Sequence, residues 1–279
     1  MKEMSQTFAR ILNRPDHWDF TGAEEFFVGV DVGTCRIKVV VVDEKGLPRA
    51  ALMRSADVVR SGLIVDYVGA LKIVRELMES VRGRCPYPLA KGATSYPPET
   101  ESGNILTTSY ILETVGLEVV SVIDEPSAAN LVLNLVDGAI VDVGGGTTGV
   151  AVVQGGKVVY TNDEATGGVH LSLVLAGSLK IGYEQADRLK IEGKDRGEIF
   201  AIVAPVIDKI SSIISRHIGG FSGLTKVCMV GGTCELDGLT ERVSRNLGLE
   251  AFRPKLPQVI TPLGIALSCL GGKTRRMCA

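Results

Sequence analysis

Apolar and polar positions along the chain change period several times, and each change predicts an element. Residues 26–32, 36–43 and 47–54 are Val-rich apolar runs punctuated by Gly33 and by Gly46 and Pro48, which predicts a meander of three consecutive strands. Over 66–83 the period turns helical, with Val68, Leu71, Val74, Leu77, Met78 and Val81 at three- and four-residue spacing. A strand near 88–95, a helix near 102–115, a strand at 117–123 and a helix from Pro126 to Leu135 follow. Pro126 suits a first helical turn, where its missing N–H would have no partner anyway. The second half then opens as the first did: a strand ends at Asp142, a Gly/Thr turn follows, and strands come at 149–154 and 157–163. Helical segments from 167 onward, a strand at 225–230, a helix over 237–247 and a last helix over 261–270 complete the pattern.

Residues 1–25 stand apart as an extension. Met4, Phe8, Ile11 and Leu12 fall on one face of a short helix that Pro15 ends. Two roles fit: a helix packed on its own domain, or a docking peptide for a partner or shell.

Composition narrows the field. The chain holds 33 glycines in 279 residues, clustered at 144–146, 167–168, 231–232 and 271–272, so they mark backbone loops rather than a low-complexity chain. A formal charge of −2 argues against nucleic acid or an anionic membrane as the partner. No apolar run approaches the roughly 20 residues needed to span a bilayer, and the N-terminus lacks the apolar core of a secretory signal. Six cysteines appear without a CxxC pair or a His/Cys cluster at zinc spacing, which reads as reduced thiols in a cytoplasmic protein. The basic tail "GGKTRRMCA" reads as a solvated end.

The chemistry lies in two related stretches, "FFVGVDVGTCRIKVVVVD" (26–43) and "AIVDVGGGTTGVAVV" (139–153). In each, a strand ends at a carboxylate, turns on Gly and Thr, and resumes; Asp31 and Asp142 lie 111 residues apart. A Gly/Thr hairpin turn offers backbone N–H groups and hydroxyls to an anion, and glycine lets phosphate oxygens reach the backbone. A carboxylate beside phosphate makes sense when a hydrated Mg²⁺ stands between them. Two such turns would grip one polyphosphate, with Asp31 and Asp142 sharing the metal's hydration shell.

These residues resemble the actin-like ATPase superfamily, which includes actin, DnaK-type chaperones, MreB, FtsA and sugar kinases. "GVDVGTCRIKVVV" resembles the first phosphate loop and "VDVGGGTTGVAVV" the second. "VIDEPSAAN" resembles the first connecting helix, "VCMVGGTCELDGL" the adenosine motif, and "TPLGIALSCL" the second connecting helix. The five motifs stand in family order and frame residues 28–270. The resemblance implies an α/β, ribonuclease-H-like fold of duplicated domains with a nucleotide cleft and reduced outer subdomains. Residues 26–135 with 260–279 would form one subdomain and 136–259 the other. A narrower resemblance rests on small size, on "SGLIVDY" (61–67) and on the nearly intact motif set. It is to the small DnaK-like family of ethanolamine-utilisation operons, and it implies a cytoplasmic protein associated with a bacterial microcompartment. Its partners would be ethanolamine-utilisation enzymes or shell proteins, with self-association as a further expectation.

Carried over residue by residue, the resemblance implies ATP and Mg²⁺ as cofactors. Asp31 and Asp142 would hold Mg²⁺ through water. Gly33, Thr34 and Cys35 would line the first phosphate turn, and Gly144, Gly145, Gly146, Thr147 and Thr148 the second. Lys38, seven residues after Asp31, matches the phosphate-contacting lysine of actin and FtsA; an outward charge on a strand is its plain alternative. Glu125 matches the acid before proline that positions the attacking water. Gly167 and Gly168 match the glycine pair that approaches the nucleotide, and Asp187 and Lys190 the acid-x-x-Lys face toward ribose and adenine. Gly231, Gly232 and Thr233 would let backbone approach the purine.

Departures from the family pattern shape the activity. Gly149 stands where DnaK has an acid, the DnaK catalytic lysine has no counterpart, Cys35 replaces a hydroxyl residue and Glu235 replaces an arginine. The implied activity is slow Mg²⁺-dependent ATP hydrolysis in a chaperone-like or assembly factor, with a non-hydrolysing assembly module like FtsA as the alternative and a small-molecule kinase as a third. A DnaK-style peptide clamp within this one chain is not expected.

Overall fold

In the computed structural model, residues 2–60, 63–98, 100, 102–192 and 196–271 are described; Ser61 and Gly62 of the "SGLIVDY" segment and the basic tail beyond Gly271 lie outside them. The chain divides into two units. One comprises residues up to Leu135 together with those from Val259 onward, and the other is Val136–Gln258.

The first unit begins with α1 (Lys2–Ile11). Phe8 and Ile11 are 1% and 2% exposed. Leu12 bridges to Ala51, the Asn13 N–H donates to the Ala51 carbonyl at 3.0 Å, and the Met53 N–H donates to Asn13 Oδ1 at 2.8 Å. The extension therefore packs on its own unit.

The three Val-rich runs form β1 (Phe26–Val32), β2 (Arg36–Asp43) and β3 (Pro48–Ser55), paired antiparallel in sequence. Alternation sends Phe26, Val28 and Val30 of β1 and Ile37, Val39 and Val41 of β2 into one core. A short hairpin, β4 (Val59–Arg60) and β5 (Leu63–Ile64), then leads to α2 (Tyr67–Arg82), capped by Asp66 Oδ1 accepting from the Gly69 N–H at 2.8 Å. Next come β6 (Lys91–Tyr96), α3 (Ser102–Thr114) and β7 (Glu118–Asp124). β6 joins β1 in parallel and β7 joins β6, giving the order β3-β2-β1-β6-β7, with α2 and α3 supplying Val74, Met78, Ile111 and Leu112 to the core beneath. α4 (Glu125–Leu133) starts directly at the end of β7, with Asp124 as its cap accepting from the Ser127 N–H at 2.9 Å.

The second unit repeats the plan. β8 (Gly138–Val143), β9 (Thr148–Gln154) and β10 (Lys157–Glu164) form an antiparallel meander. α5 (Gly168–Leu179), α6 (Tyr183–Glu192) and α7 (Arg196–Ile218) follow, then β11 (Lys226–Val230), α8 (Leu239–Leu247) and β12 (Glu250–Phe252). β11 pairs in parallel with β8 and β12 with β11, so the order β10-β9-β8-β11-β12 matches the first sheet strand for strand. α7 runs through Pro205 where an interior proline costs about 3 kcal/mol. Burial of Val203, Ile207, Ile210, Ile213 and Ile214 on one face supplies the compensation. The β4–β5 hairpin, β12 and the continuity of α7 were not evident from the hydrophobic pattern.

The last helix, α9 (Ile260–Ser268), returns to the first unit and packs on α4 and β1. The approach is close enough to demand glycine. A Cβ on Gly264 would sit 1.8 Å from the Ala128 carbonyl oxygen, and one on Gly29 would sit 2.5 Å from the Ala266 nitrogen.

Candidate functional site

Parallel pairing puts the C-terminal ends of β1, β6 and β7 at one edge of the first sheet, the edge at which open α/β sheets bind ligands. Asp31 stands there, 4% exposed, directly opposite Lys38 in the antiparallel register. The seven-residue spacing thus has a structural meaning, and Lys38 Nζ donates to Asp31 Oδ2 at 2.7 Å. Between them runs the turn of Gly33, Thr34 and Cys35, closed by the Gly33 N–H to the Arg36 carbonyl at 3.2 Å. A Cβ on Gly33 would press on that carbonyl at 3.0 Å. Glu125 opens α4 at the same sheet edge, one residue after the last of β7.

In the second unit, Asp142 faces Gly149 across β8 and β9, and Gly144 to Thr147 make the turn. The Gly144 N–H closes it on the Thr147 carbonyl at 3.0 Å. The loop is gripped from outside by three donors. The Gly168 N–H and Thr233 Oγ1 both donate to the Gly144 carbonyl, at 3.0 and 2.7 Å, and the Val169 N–H donates to the Gly145 carbonyl at 2.8 Å. Backbone crowds here too. A Cβ on Gly167 would come within 2.8 Å of both loop carbonyls, and one on Gly231, at φ +91°, within 2.3 Å of Asp142 Oδ1. Gly231 closes the C-terminal end of β11, and Gly232 and Thr233 begin the short 3₁₀ turn after it, Gly232–Glu235, which includes Glu235. The structure therefore brings Asp142, the glycine turn, Gly167, Gly168, Gly231 and Thr233 to one place.

Two assignments change on inspection. Thr148 was expected to line the phosphate turn, but it is fully buried and its Oγ1 donates to the Thr166 carbonyl at 2.6 Å. It braces the loop from within because alternation along β9 turns it inward. Lys190 was expected to reach toward ribose and adenine. Its three ammonium protons are matched by the Gly168 carbonyl at 3.0 Å, Ser172 Oγ at 2.7 Å and Asp187 Oδ1 at 2.8 Å. Ser172 also donates within this cluster, 2.7 Å from Asp187 Oδ1. Lys190 and Asp187 thus pin α6 to the first turn of α5. Ser172 was missed; the signal was its position four residues after Gly168, on the same helix face.

Three thiols are held toward the protonated form. Burial pushes Cys228 and Cys269 up to about 12. Burial, followed by the charge of Asp142, holds Cys234 well above the ordinary thiol range. Among the described residues no group of three or more His, Cys, Asp or Glu side chains is assembled for a metal.

Two like-ordered sheets, each with a carboxylate-ended strand running into a glycine hairpin, define the class: an actin-like ATPase fold. MreB5 of Spiroplasma citri, solved with ADP, superposes with a TM-score of 0.69 at 14% identity, covering 86% of this chain and 94% of that one. The family described as type IV pilus assembly protein PilM matches residues 110–253. The particular relatives are nearer. The ethanolamine utilization protein EutJ of Escherichia coli K12 is 41% identical over 244 residues, 87% of this chain and 85% of that protein. The crystal structure of EutJ from Carboxydothermus hydrogenoformans superposes with a TM-score of 0.88 at 43% identity, covering 95% and 98% of the two chains. The chain belongs to the EutJ family of ethanolamine utilization proteins.

Proposed function

We propose that the chain binds ATP with Mg²⁺ and hydrolyses it slowly, working as a chaperone-like or assembly factor of ethanolamine utilisation. The observation that carries this reading is the repetition. Asp31 and Asp142 occupy equivalent positions in two sheets of the same order, each ahead of a glycine turn. The ADP-bound state of MreB5 supports the choice of ligand. Phosphate oxygens would take the backbone N–H groups of Gly33, Thr34 and Cys35 and of Gly144 to Thr147, as anions do in such nests. Each unit offers one carboxylate at the turn, which fits Mg²⁺ because that ion keeps several waters and takes few protein ligands. Bound there, Mg²⁺ would neutralise charge on the phosphates. Lys38 adds a positive group within reach, and Glu125 would orient the attacking water.

Steady-state phosphate release and nucleotide titration test the reading together. Glu125→Gln is expected to keep ATP binding while phosphate release falls about 10²–10⁴-fold. Unchanged release removes Glu125 from the chemistry, and absence of ATP binding in the unmodified chain removes the whole reading. A second reading, a nucleotide-gated assembly module without useful turnover, is favoured by Gly149 in place of an acid and by the engagement of Lys38 with Asp31. Oligomer size measured with and without ATP, beside the release rate, separates the two. Partners would be ethanolamine-utilisation enzymes or shell proteins in the cytoplasm, and pull-down with and without ATP identifies them.

A further inference from the structure

Gly168 is the joint between α6 and the glycine turn. Two successive amides reach that turn from here, the Gly168 N–H to the Gly144 carbonyl at 3.0 Å and the Val169 N–H to the Gly145 carbonyl at 2.8 Å. The Gly168 carbonyl, in the first turn of α5, takes Lys190 Nζ at 3.0 Å. The joint is tight: a Cβ on Gly168 would stand 2.5 Å from Thr233 Oγ1 and 3.6 Å from Lys190 Nζ.

The Gly168 carbonyl and the Val169 N–H are opposite ends of one planar peptide unit. Lys190 on the carbonyl therefore fixes the direction of that N–H, and its charge polarises the unit and strengthens the bond to Gly145. The same geometry carries one step further. With the Gly144 and Gly145 carbonyls held by α5, the N–H groups of Gly145 and Gly146 in the same peptide planes are turned the opposite way. Those N–H groups are among the donors offered to phosphate above.

Lys190 is in turn held in place. Ser172 Oγ accepts from it at 2.7 Å and Asp187 Oδ1 at 2.8 Å, while Ser172 Oγ lies 2.7 Å from the same carboxylate oxygen and 3.2 Å from the Gly168 carbonyl. Ser172 is fully buried and cannot touch a ligand, so any influence it has on binding passes through the turn.

We propose that Ser172, Asp187 and Lys190 are positioning residues for the phosphate turn, serving the triphosphate end of a nucleotide and not its ribose or base. The ligand comes from the nucleotide reading and rests on it; the hold of Lys190 on the turn does not.

Two measurements on the full chain test this. Calorimetric titration compares ATP·Mg²⁺ with Mg²⁺ tripolyphosphate, which has neither ribose nor base, and amide hydrogen exchange is followed without ligand. In Lys190→Met the turn is competent for a smaller fraction of the time, and apparent affinity falls by that fraction. Both ligands are expected to weaken by the same factor, about tenfold. Ser172→Ala, which leaves Lys190 on the Gly168 carbonyl and Asp187, should weaken both about threefold. Exchange at the Gly168 and Val169 amides should quicken at least about tenfold in Lys190→Met. Melting temperatures show that the variants are folded.

ATP weakened with tripolyphosphate unchanged assigns Lys190 to ribose or base and overturns the proposal. Unchanged affinity for both ligands, or unchanged exchange at Gly168 and Val169, overturns it as well. A parent chain that binds no ATP removes the nucleotide reading. Exchange needs no ligand and decides alone wherever the parent chain shows no binding: faster rates uphold the coupling, and unchanged rates sink it.

Discussion

Single glycines divide sharply by what surrounds them. At Gly264 an added methyl would drive into the Ala128 carbonyl, whereas at Gly177, inside α5, it would meet nothing within 4 Å. Gly264→Ala is expected to cost about 1–3 kcal/mol or more through overpacking. Gly177→Ala should gain about 0.4–1 kcal/mol, since the helix loses less backbone entropy. Urea midpoints of the two variants should move in opposite directions. Asp208 offers a pH test. Hydrogen bonds from Arg242, then from Asn246, hold its carboxyl below the usual range. A lowered folded-state pKa gives stability that is present above the unfolded value near 4 and is lost as pH falls through the folded one. The pair is 29% and 44% exposed, so solvent screening limits it to a few tenths of a kcal/mol, up to about 1. Arg242→Met should lower stability by that amount near pH 7, with the difference from the parent chain fading as pH falls below about 4, in denaturant titrations at stepped pH.

At the scale of elements, β3 is an edge strand, and the chain just after α1 bridges to it. Edge strands left open invite foreign pairing. Phe8→Ala should cost about 3–5 kcal/mol, as for other buried aromatic truncations, and lower the melting temperature. A helix reserved for a partner would show almost no loss. The same scale explains what was legible beforehand. The β1–β2 and β8–β9 hairpins, with Asp31, Gly33, Asp142 and Gly144 at their tips, could be read directly because a hairpin's register and turn chemistry are set by neighbours in sequence. The inward turn of Thr148, the saturation of Lys190 and the role of Ser172 could not. Each depends on a carbonyl or carboxylate 15 to 22 residues away, placed by helix packing.

For the whole molecule, ligand linkage gives the clearest test. With ATP·Mg²⁺ at 100 times Kd, the folded state should gain about 2.7 kcal/mol. That is several degrees of melting temperature for chains of this size. Thr233→Val removes the bond to the Gly144 carbonyl and should weaken ATP about fivefold, the equivalent of roughly 1 kcal/mol. Differential scanning calorimetry across an ATP series checks both.

The sequence by itself determined the order of the main strands and helices and the doubled carboxylate–glycine hairpin, because hydrophobic period and turn chemistry are properties of adjacent residues, and its motifs carried the resemblance to the family. Tertiary structure alone decided how closely α9 lies on α4 and β1, at a distance only glycine permits. It also decided which hydroxyls brace a loop, and that Lys190 spends its protons on its own fold. Those outcomes follow from long-range packing, where the direction of a side chain is fixed by segments far away in the chain.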